Sequence, residues 1–356
     1  MKTLTSSVEE IYKKRKNNIQ EIENFFEPEV HDVGVAIGVN NHIKSLDIFS
    51  SNYMLKVYLK KIIRSIALNN FKKINHKTYF LHNISNNRES VGLKFYLDQN
   101  ISPVHQDLTD LEKHLQIRRS LYTKLGLPST FINGKCILEV GAGSGHNSLY
   151  TASQNPKSYH ICEPNPVAVK DIGELFSDFT KAHTIPDVFC EKFDDYSTKK
   201  KYDIVICEGW LGGITDYERD MIRKLSSFVT SGGLLIMSYF PPIGGLSSFL
   251  RRILAYRTID TFDKFTHKTA KLIEAFETHL STLQHLSRSH THWVQDCLLN
   301  PHIYVGPLSP KMCMDILGEK FEVYSSVPTF YTDWRWYKSL FDSERKNNRR
   351  FFRAVD

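Results

Sequence analysis

Two carboxylates and three alternating glycines are the groups whose spacing in this chain speaks of chemistry. Glu139 stands two residues ahead of Gly141, which with Gly143 and Gly145 breaks the apolar run Cys136–Val140; Glu163 follows 20 residues after Gly143. Glycine at such positions permits a φ > 0 turn and lets backbone N–H groups approach a ligand closely. The dinucleotide fingerprint G-x-G-x-x-G would place its third glycine one residue later, and a carboxylate just ahead of the turn suits a cation better than a pyrophosphate. An acidic side chain about 20 residues on is where a ribose diol is usually gripped.

These groups need a scaffold, and the surrounding pattern supplies one. Short apolar runs recur at 136–140, 159–162, 187–190, 202–207 and 234–237, the last after the turn Ser231-Gly232-Gly233, with helical stretches between them. Strands alternating with helices predict a parallel sheet covered on both faces, with ligands at the strands' carboxyl ends. Glu163, Glu191, Asp194 and Glu208 all follow such ends. Taken singly, each has a plainer explanation as a turn former or a solvated cap. Their occurrence in order is what favours a site.

The ordered series resembles the class I S-adenosylmethionine-dependent methyltransferases over roughly residues 105–335: E-x-G-x-G-x-G from Glu139 to Gly145, the acid Glu163 after the second strand, and the Gly-Gly pair before the fifth. The resemblance implies S-adenosyl-L-methionine as cofactor. Gly141, Gly143 and Gly145, with Glu139 and Glu208 nearby, would lie against its methionine part. Glu163 would take the ribose hydroxyls, and Glu191 or Phe193 the adenine, although the family's Gly-Asp pair is here Cys190-Glu191. The fold class expected is α/β, a Rossmann-like doubly wound, mostly parallel sheet. Its last strand would be antiparallel, formed by 321–325 and 329–332, with a helical insertion after strand five.

The 356 residues carry a net charge of +7 and six cysteines, enough chain for one large domain and a smaller one. No run of about 18 apolar residues occurs, so no membrane span is expected, nor a signal peptide, and the cytoplasm is the default location. The cysteines lack C-x-x-C spacing and four fall in or beside strands, reading as small buried hydrophobes with no metal site. Basic clusters occur at 13–16 and in the tail 343–356. Such a tail can touch nucleic acid or an acidic surface, but solvated termini are commoner.

Residues 1–100 differ in character and form a smaller N-terminal α/β region of unassigned role. A charged helix over 7–25, a strand and turn at 33–41 followed by the run 42–49, and a helix over 53–68 are expected, with a polar joint at 82–90. The stretch 28–98 is similar to the ARG/rhodanese-phosphatase-associated protein domain. The methyltransferase-like region then covers 101–342. It opens with a helix from Leu111 whose face carries Leu115, Leu121 and Tyr122, with Arg118 and Arg119 placed elsewhere. The insertion, 241–293, is too long for a simple loop and reads as helices over 246–256 and 265–286.

After it comes Ser289-His290-Thr291-His292-Trp293-Val294-Gln295-Asp296. Histidine titrates near neutrality, so His290 or His292 could take a hydroxyl proton, and Asp296, four residues beyond His292, could fix its tautomer. Helix capping is the plainer reading. Thr291-His292-Trp293, and Glu208-Gly209-Trp210 with Glu218 ten residues on, are similar to loops of the protein arginine methyltransferases, whose paired carboxylates hold a guanidinium. The glutamates are one residue too far apart, and no barrel strands follow. Nucleic-acid amino-methylating enzymes carry N/D-P-P-Y/F after strand four, where this chain has Glu208-Gly209-Trp210. The pattern around the glycines also resembles bacterial methyltransferases of surface-glycan and secondary-metabolite pathways. The reading is therefore methyl transfer to a small-molecule acceptor, a sugar or glycan-precursor hydroxyl first. Glu208 and His292 are the catalytic candidates, and Trp210, His290, Trp293 and Asp296 line the acceptor side. An arginine methyltransferase, an RNA methyltransferase, a nicotinamide-dependent oxidoreductase and a non-catalytic cofactor-binding protein are the alternatives. Oligomeric state is not specified by the sequence.

Overall fold

In the computed structural model the described residues are 33–40, 42–50, 91–103, 105–179, 184–211, 216–239, 242–260, 263–283, 286–301 and 308–328. The helices expected at 7–25 and 53–68, the joint at 82–90, the run 329–332 and the basic tail lie outside them. The chain divides into two compact units, Met1–Leu81 and His82–Asp356. The first contains an antiparallel hairpin, β1 (Val33–Asn40) and β2 (His42–Ser50), with Val33 opposite Ser50 and Asn40 opposite His42.

The second unit begins ahead of the boundary near 100. It takes in α1 (Val91–Gln99), whose Phe95 ring meets Phe265 edge-on and whose Tyr96 bonds Asp296 and Asn300. Then come α2 (Leu111–Lys124), α3 (Ser129–Ile132), β3 (Cys136–Val140), α4 (Ser148–Ser153), β4 (Ser158–Cys162) and α5 (Pro166–Asp178). Next are β5 (Asp187–Phe189), β6 (Tyr202–Cys207), α6 (Asp216–Phe228) and β7 (Val229–Met237).

The sheet order is β5-β4-β3-β6-β7, and every pairing in it is parallel. Because β3 has β4 on one side and β6 on the other, the chain changes direction around its carboxyl end, the place where such sheets bind ligands. Alternation along the strands divides the core. Ile137, Ile161, Ile204 and Ile206 pack with Tyr122, Leu149 and Ile172 on one face. Leu138, Val140, Val205 and Cys207 pack with Ile222, Leu225 and Phe228 on the other. The six cysteines are all free.

Among the described residues no antiparallel strand closes this sheet: Phe321–Ser325 runs as irregular chain, and the expected run 329–332 is outside them. Strand five also begins earlier than its apolar run, at Val229. Its register jumps between Tyr202↔Val229 and Ile204↔Leu234, a bulge accommodated by Gly232 at φ 76° and by Gly233, whose missing Cβ would lie 2.8 Å from the Asp203 carbonyl.

The insertion is helical, with α7 (Pro242–Thr258), α8 (Phe265–Ala275), α9 (Glu277–Ser281) and α10 (His290–Val294). A π-helical turn, Gln295–Leu299, continues α10. These elements enclose a core of their own, in which Leu272, Leu280, Val294 and Leu298 are buried. The expected single helix over 265–286 breaks at Phe276, where the C-cap of α8 becomes the N-cap of α9. Helix α11 (Pro310–Leu317) packs against α6 and carries the buried Cys313.

Candidate active site

The loop after β3 holds Gly141, Gly143 and Gly145 at φ 73°, 57° and 78°, so all three use the left-handed region. A second constraint comes from the protein itself. A Cβ on Gly141 would stand 3.2 Å from Trp210, one on Gly143 3.1 Å from Pro103, and one on Gly145 2.7 Å from Ile172 Cγ1. The glycines are thus required by packing on three sides as well as by the turn.

Glu163, at the end of β4, turns its carboxylate into this loop. Oε2 accepts the Gly143 N–H at 2.8 Å and Oε1 the Asn165 N–H at 3.0 Å. Burial pushes its pKa up to about 7 despite those two bonds. Glu139 is buried behind the loop, accepts from the Tyr159 hydroxyl and is likewise raised by desolvation.

Glu208 ends β6 and is engaged by α2. Arg118 Nη2 donates to its two oxygens at 3.0 and 2.8 Å, and the Tyr122 hydroxyl donates at 2.8 Å. Arg118 was expected away from the apolar face of this helix; it is instead buried beside Tyr122, because four residues of helix bring both side chains to one side. Arg118→Met should therefore lower the unfolding free energy by about 2 kcal/mol, by leaving a half-buried carboxylate short of its cation. Chemical denaturation would show it, and an unchanged midpoint would contradict the pair's contribution.

The remaining residues singled out by sequence divide between core and rim. Phe193 is buried among Tyr196, Trp210 and Phe228, while Glu191 is half-buried beyond β5 and its carbonyl accepts from Cys162 Sγ. Trp210 packs on Gly141, Phe193 and Tyr217. Trp293 lies in the core of the insertion, and His290 is exposed. The expected His292–Asp296 pair is absent among the described residues. Asp296 is held by Arg288 at 2.7 Å and by the Tyr96 hydroxyl, which also binds Asn300. The helix is capped by Ser289, whose hydroxyl accepts the His292 N–H.

His292 finds other company. Its ring stacks on His105 with centroids 4.8 Å apart, and His105 meets His146, the residue after Gly145, edge-on at 5.1 Å. Burial first, then the neighbouring His105, pushes His146 down to about 4; burial, His105 and Arg288 hold His292 below its ordinary range. Neither His105 nor His146 was evident from sequence, since neither belongs to a recognisable motif. Among the described residues no three His, Cys, Asp or Glu side chains converge as a metal requires, and no helix is long and apolar enough to cross a membrane.

A β3 strand at the centre of a parallel sheet, a left-handed glycine loop and a buried carboxylate at the end of β4 define a nucleoside-cofactor domain. Residues 114–288 match the family model of a methyltransferase domain, and residues 1–97 that of the ARG and Rhodanese-Phosphatase-superfamily-associated Protein domain. Residues 114–288 of the second unit are thus similar to a methyltransferase domain. Over 83 residues the chain is 34% identical to a tRNA1(Val) (adenine(37)-N6)-methyltransferase of a Flavobacteriaceae bacterium, covering 23% of this chain and 36% of that protein, so it spans only about a third of that relative's length. Among solved structures, magnesium protoporphyrin IX methyltransferase from Synechocystis PCC 6803, with bound SAM, is similar at 19% identity. That match covers 45% of this chain and 79% of the other, with a TM-score of 0.35. PKMT2 from Rickettsia typhi, in complex with AdoHcy, is similar at 15% identity over 58% of this chain and 43% of that one, with a TM-score of 0.40. Likenesses of this extent carry no argument about substrate.

The residues present fit the cofactor. The loop offers backbone at left-handed glycines, and the Glu163 carboxylate lies on that loop through the Gly143 N–H. Trp210 forms an apolar wall against Gly141.

Proposed function

We propose that this chain is an S-adenosylmethionine-dependent methyltransferase whose acceptor is a small molecule, a hydroxyl of a sugar or glycan precursor in the first instance. The observation that carries the reading is the His292 ring, stacked within one imidazole cluster that reaches the glycine loop through His146 and held below its ordinary range by burial and its neighbours. A neutral imidazole can accept the proton that a hydroxyl loses as it is methylated. The cofactor, when bound, supplies a methyl group on a sulfonium, already a good leaving group. Glu163 would hold the ribose hydroxyls, the glycine loop and Trp210 would flank the methionine part, and Glu191 would stand near the adenine. Phe193 would support that side through Trp210 and Tyr196. Glu139 would act from behind the loop through Tyr159. Rate would come chiefly from positioning the acceptor about 3 Å from the methyl group.

The state of Glu208 argues against an arginine acceptor. Its carboxylate already holds the chain's own Arg118 and the Tyr122 hydroxyl, so an incoming guanidinium would have to displace a buried cation. Glu208 is better read as fixing α2 against β6, with Trp210 placed beside the cofactor as a result. His290 and Asp296 would line the acceptor side, Asp296 by orienting Arg288, while Trp293 would support the wall from the insertion's core. An RNA acceptor is the second reading, favoured by the relative that methylates a tRNA adenine and by the basic tail.

The test is transfer of labelled methyl from S-adenosylmethionine into size-fractionated cell extract, alongside calorimetry with S-adenosylhomocysteine and with NAD. Label in the small-molecule fraction and binding of S-adenosylhomocysteine are expected. Label in RNA or protein would replace the acceptor assignment, and failure of S-adenosylhomocysteine to bind would overturn the enzyme assignment.

A further inference from the structure

We propose that His105 is a positioning residue for the acceptor step, holding the His292 ring beside the glycine loop through the line Asp171–His105–His292. The inference rests on the reading of His292 as the acceptor-side base.

His105 belongs to the segment 101–107, which is fastened at both ends. On the cofactor side, Ser144 N–H donates to the Pro103 carbonyl at 3.1 Å, Asn165 Nδ2 to the Ile101 carbonyl at 2.9 Å, and Pro103 fills the space a Gly143 Cβ would take. On the insertion side, Asp107 N–H donates to the Ser287 carbonyl at 2.6 Å and the Ser287 hydroxyl donates to Gln106. Between these anchors His105 Nε2 lies 3.2 Å from Asp171 Oδ2 on α5. The carboxylate fixes the ring edgewise, leaving its face for His292, with 27° between the planes.

This contact matters because little else orients His292. Its helix is five residues long, Ser289 caps only its backbone, and among the described residues no hydrogen bond holds the imidazole. The ionisable groups around it are His105 with Asp171 behind it, His146 with His114 behind that, and Arg288, which is paired with Asp296. His105 and Arg288 both oppose a positive charge on His292. The aromatic stack and the neighbouring imidazole then serve one end: a base held in place and held below its ordinary range.

Two substitutions separate the two effects. His105→Phe keeps a flat ring but removes the ionisable nitrogens and the bond to Asp171; His105→Ala removes the stack as well. The side-chain titration of His292, followed by NMR in the full chain, should move to higher pH in His105→Phe and, by a smaller step, in Asp171→Asn. The pH profile of label transfer, measured with whichever extract fraction the wild type labels, should show its acidic limb displaced in the same direction. His105→Ala should in addition lower kcat roughly 10- to 100-fold with the KM for S-adenosylmethionine little changed, since misplacing a reacting group by about 1 Å costs that much. A His292 titration that stays in place in His105→Phe and Asp171→Asn would overturn the inference, as would full kcat in a folded His105→Ala. Failure of the wild type to bind S-adenosylhomocysteine would instead overturn the enzyme assignment, and the titration would still decide whether His105 governs His292.

Discussion

Gly145→Ala should cost about 2–5 kcal/mol of folding stability, although it adds a single methyl group. Two penalties combine. A non-glycine residue at φ 78° pays about 1–2 kcal/mol for its Cβ–carbonyl crowding, and the new Cβ would stand 2.7 Å from Cγ1 of Ile172, which is 1% exposed and cannot swing away. Gly134→Ala is the internal control. That glycine has φ 69° but nothing within 4 Å of the Cβ position, so only the backbone penalty applies and about 1 kcal/mol is expected. Urea midpoints of the two variants, compared at unchanged slope, give the steric part by difference. Equal losses would show that the loop is not packed on α5 as described.

The second large effect concerns Glu163. With its pKa raised to about 7 from an ordinary 4.5, the folded state binds a proton that the unfolded chain has lost. Stability from this group is therefore complete below about pH 4.5 and declines as pH rises through about 7, by about 3 kcal/mol in total. Hydroxyl donors from a ribose favour the ionised form, so S-adenosylhomocysteine should bind more tightly as pH rises through the same window. Glu163→Gln removes both slopes. At pH 8 its affinity should fall about 10- to 100-fold, the usual consequence of losing a hydrogen bond to a charged acceptor. Calorimetry at several pH values checks both. A variant that keeps the wild-type pH dependence of binding would show that the carboxylate does not meet the cofactor.

Much of the scaffold was legible because it is written locally. The runs that became β3, β4 and β6, the three glycines and the acid at Glu163 lie within short windows whose periodicity and breakers name the element. The partners were not legible, because the fold creates them. His105, His146 and His292 come from three separate segments; the Thr291-His292-Trp293 run marked His292, but nothing in the sequence joined it to His105 or His146. Arg118 was placed away from the helix's apolar face on charge alone, yet Glu208, 90 residues further along, gives it a buried anion. Phe193 shows the opposite limit: an aromatic residue past a strand end looks the same in sequence whether it meets a purine or, as here, Phe228 and Tyr196.

The turn Gln295–Leu299 carries a consequence of helical phase. In this π-helical stretch the Asn300 N–H bonds the Gln295 carbonyl, five residues back, so the turn holds one residue more than an α-helix allows. Each residue of an α-helix advances the face by about 100°. The surplus residue sets Asp296 and Asn300 both toward Tyr96 while Leu298 and Leu299 stay in the insertion's core. Shortening the turn by one residue would restore regular winding and turn one of those two sets away from its partners. The length of this segment, and not only its composition, is what ties the insertion to α1.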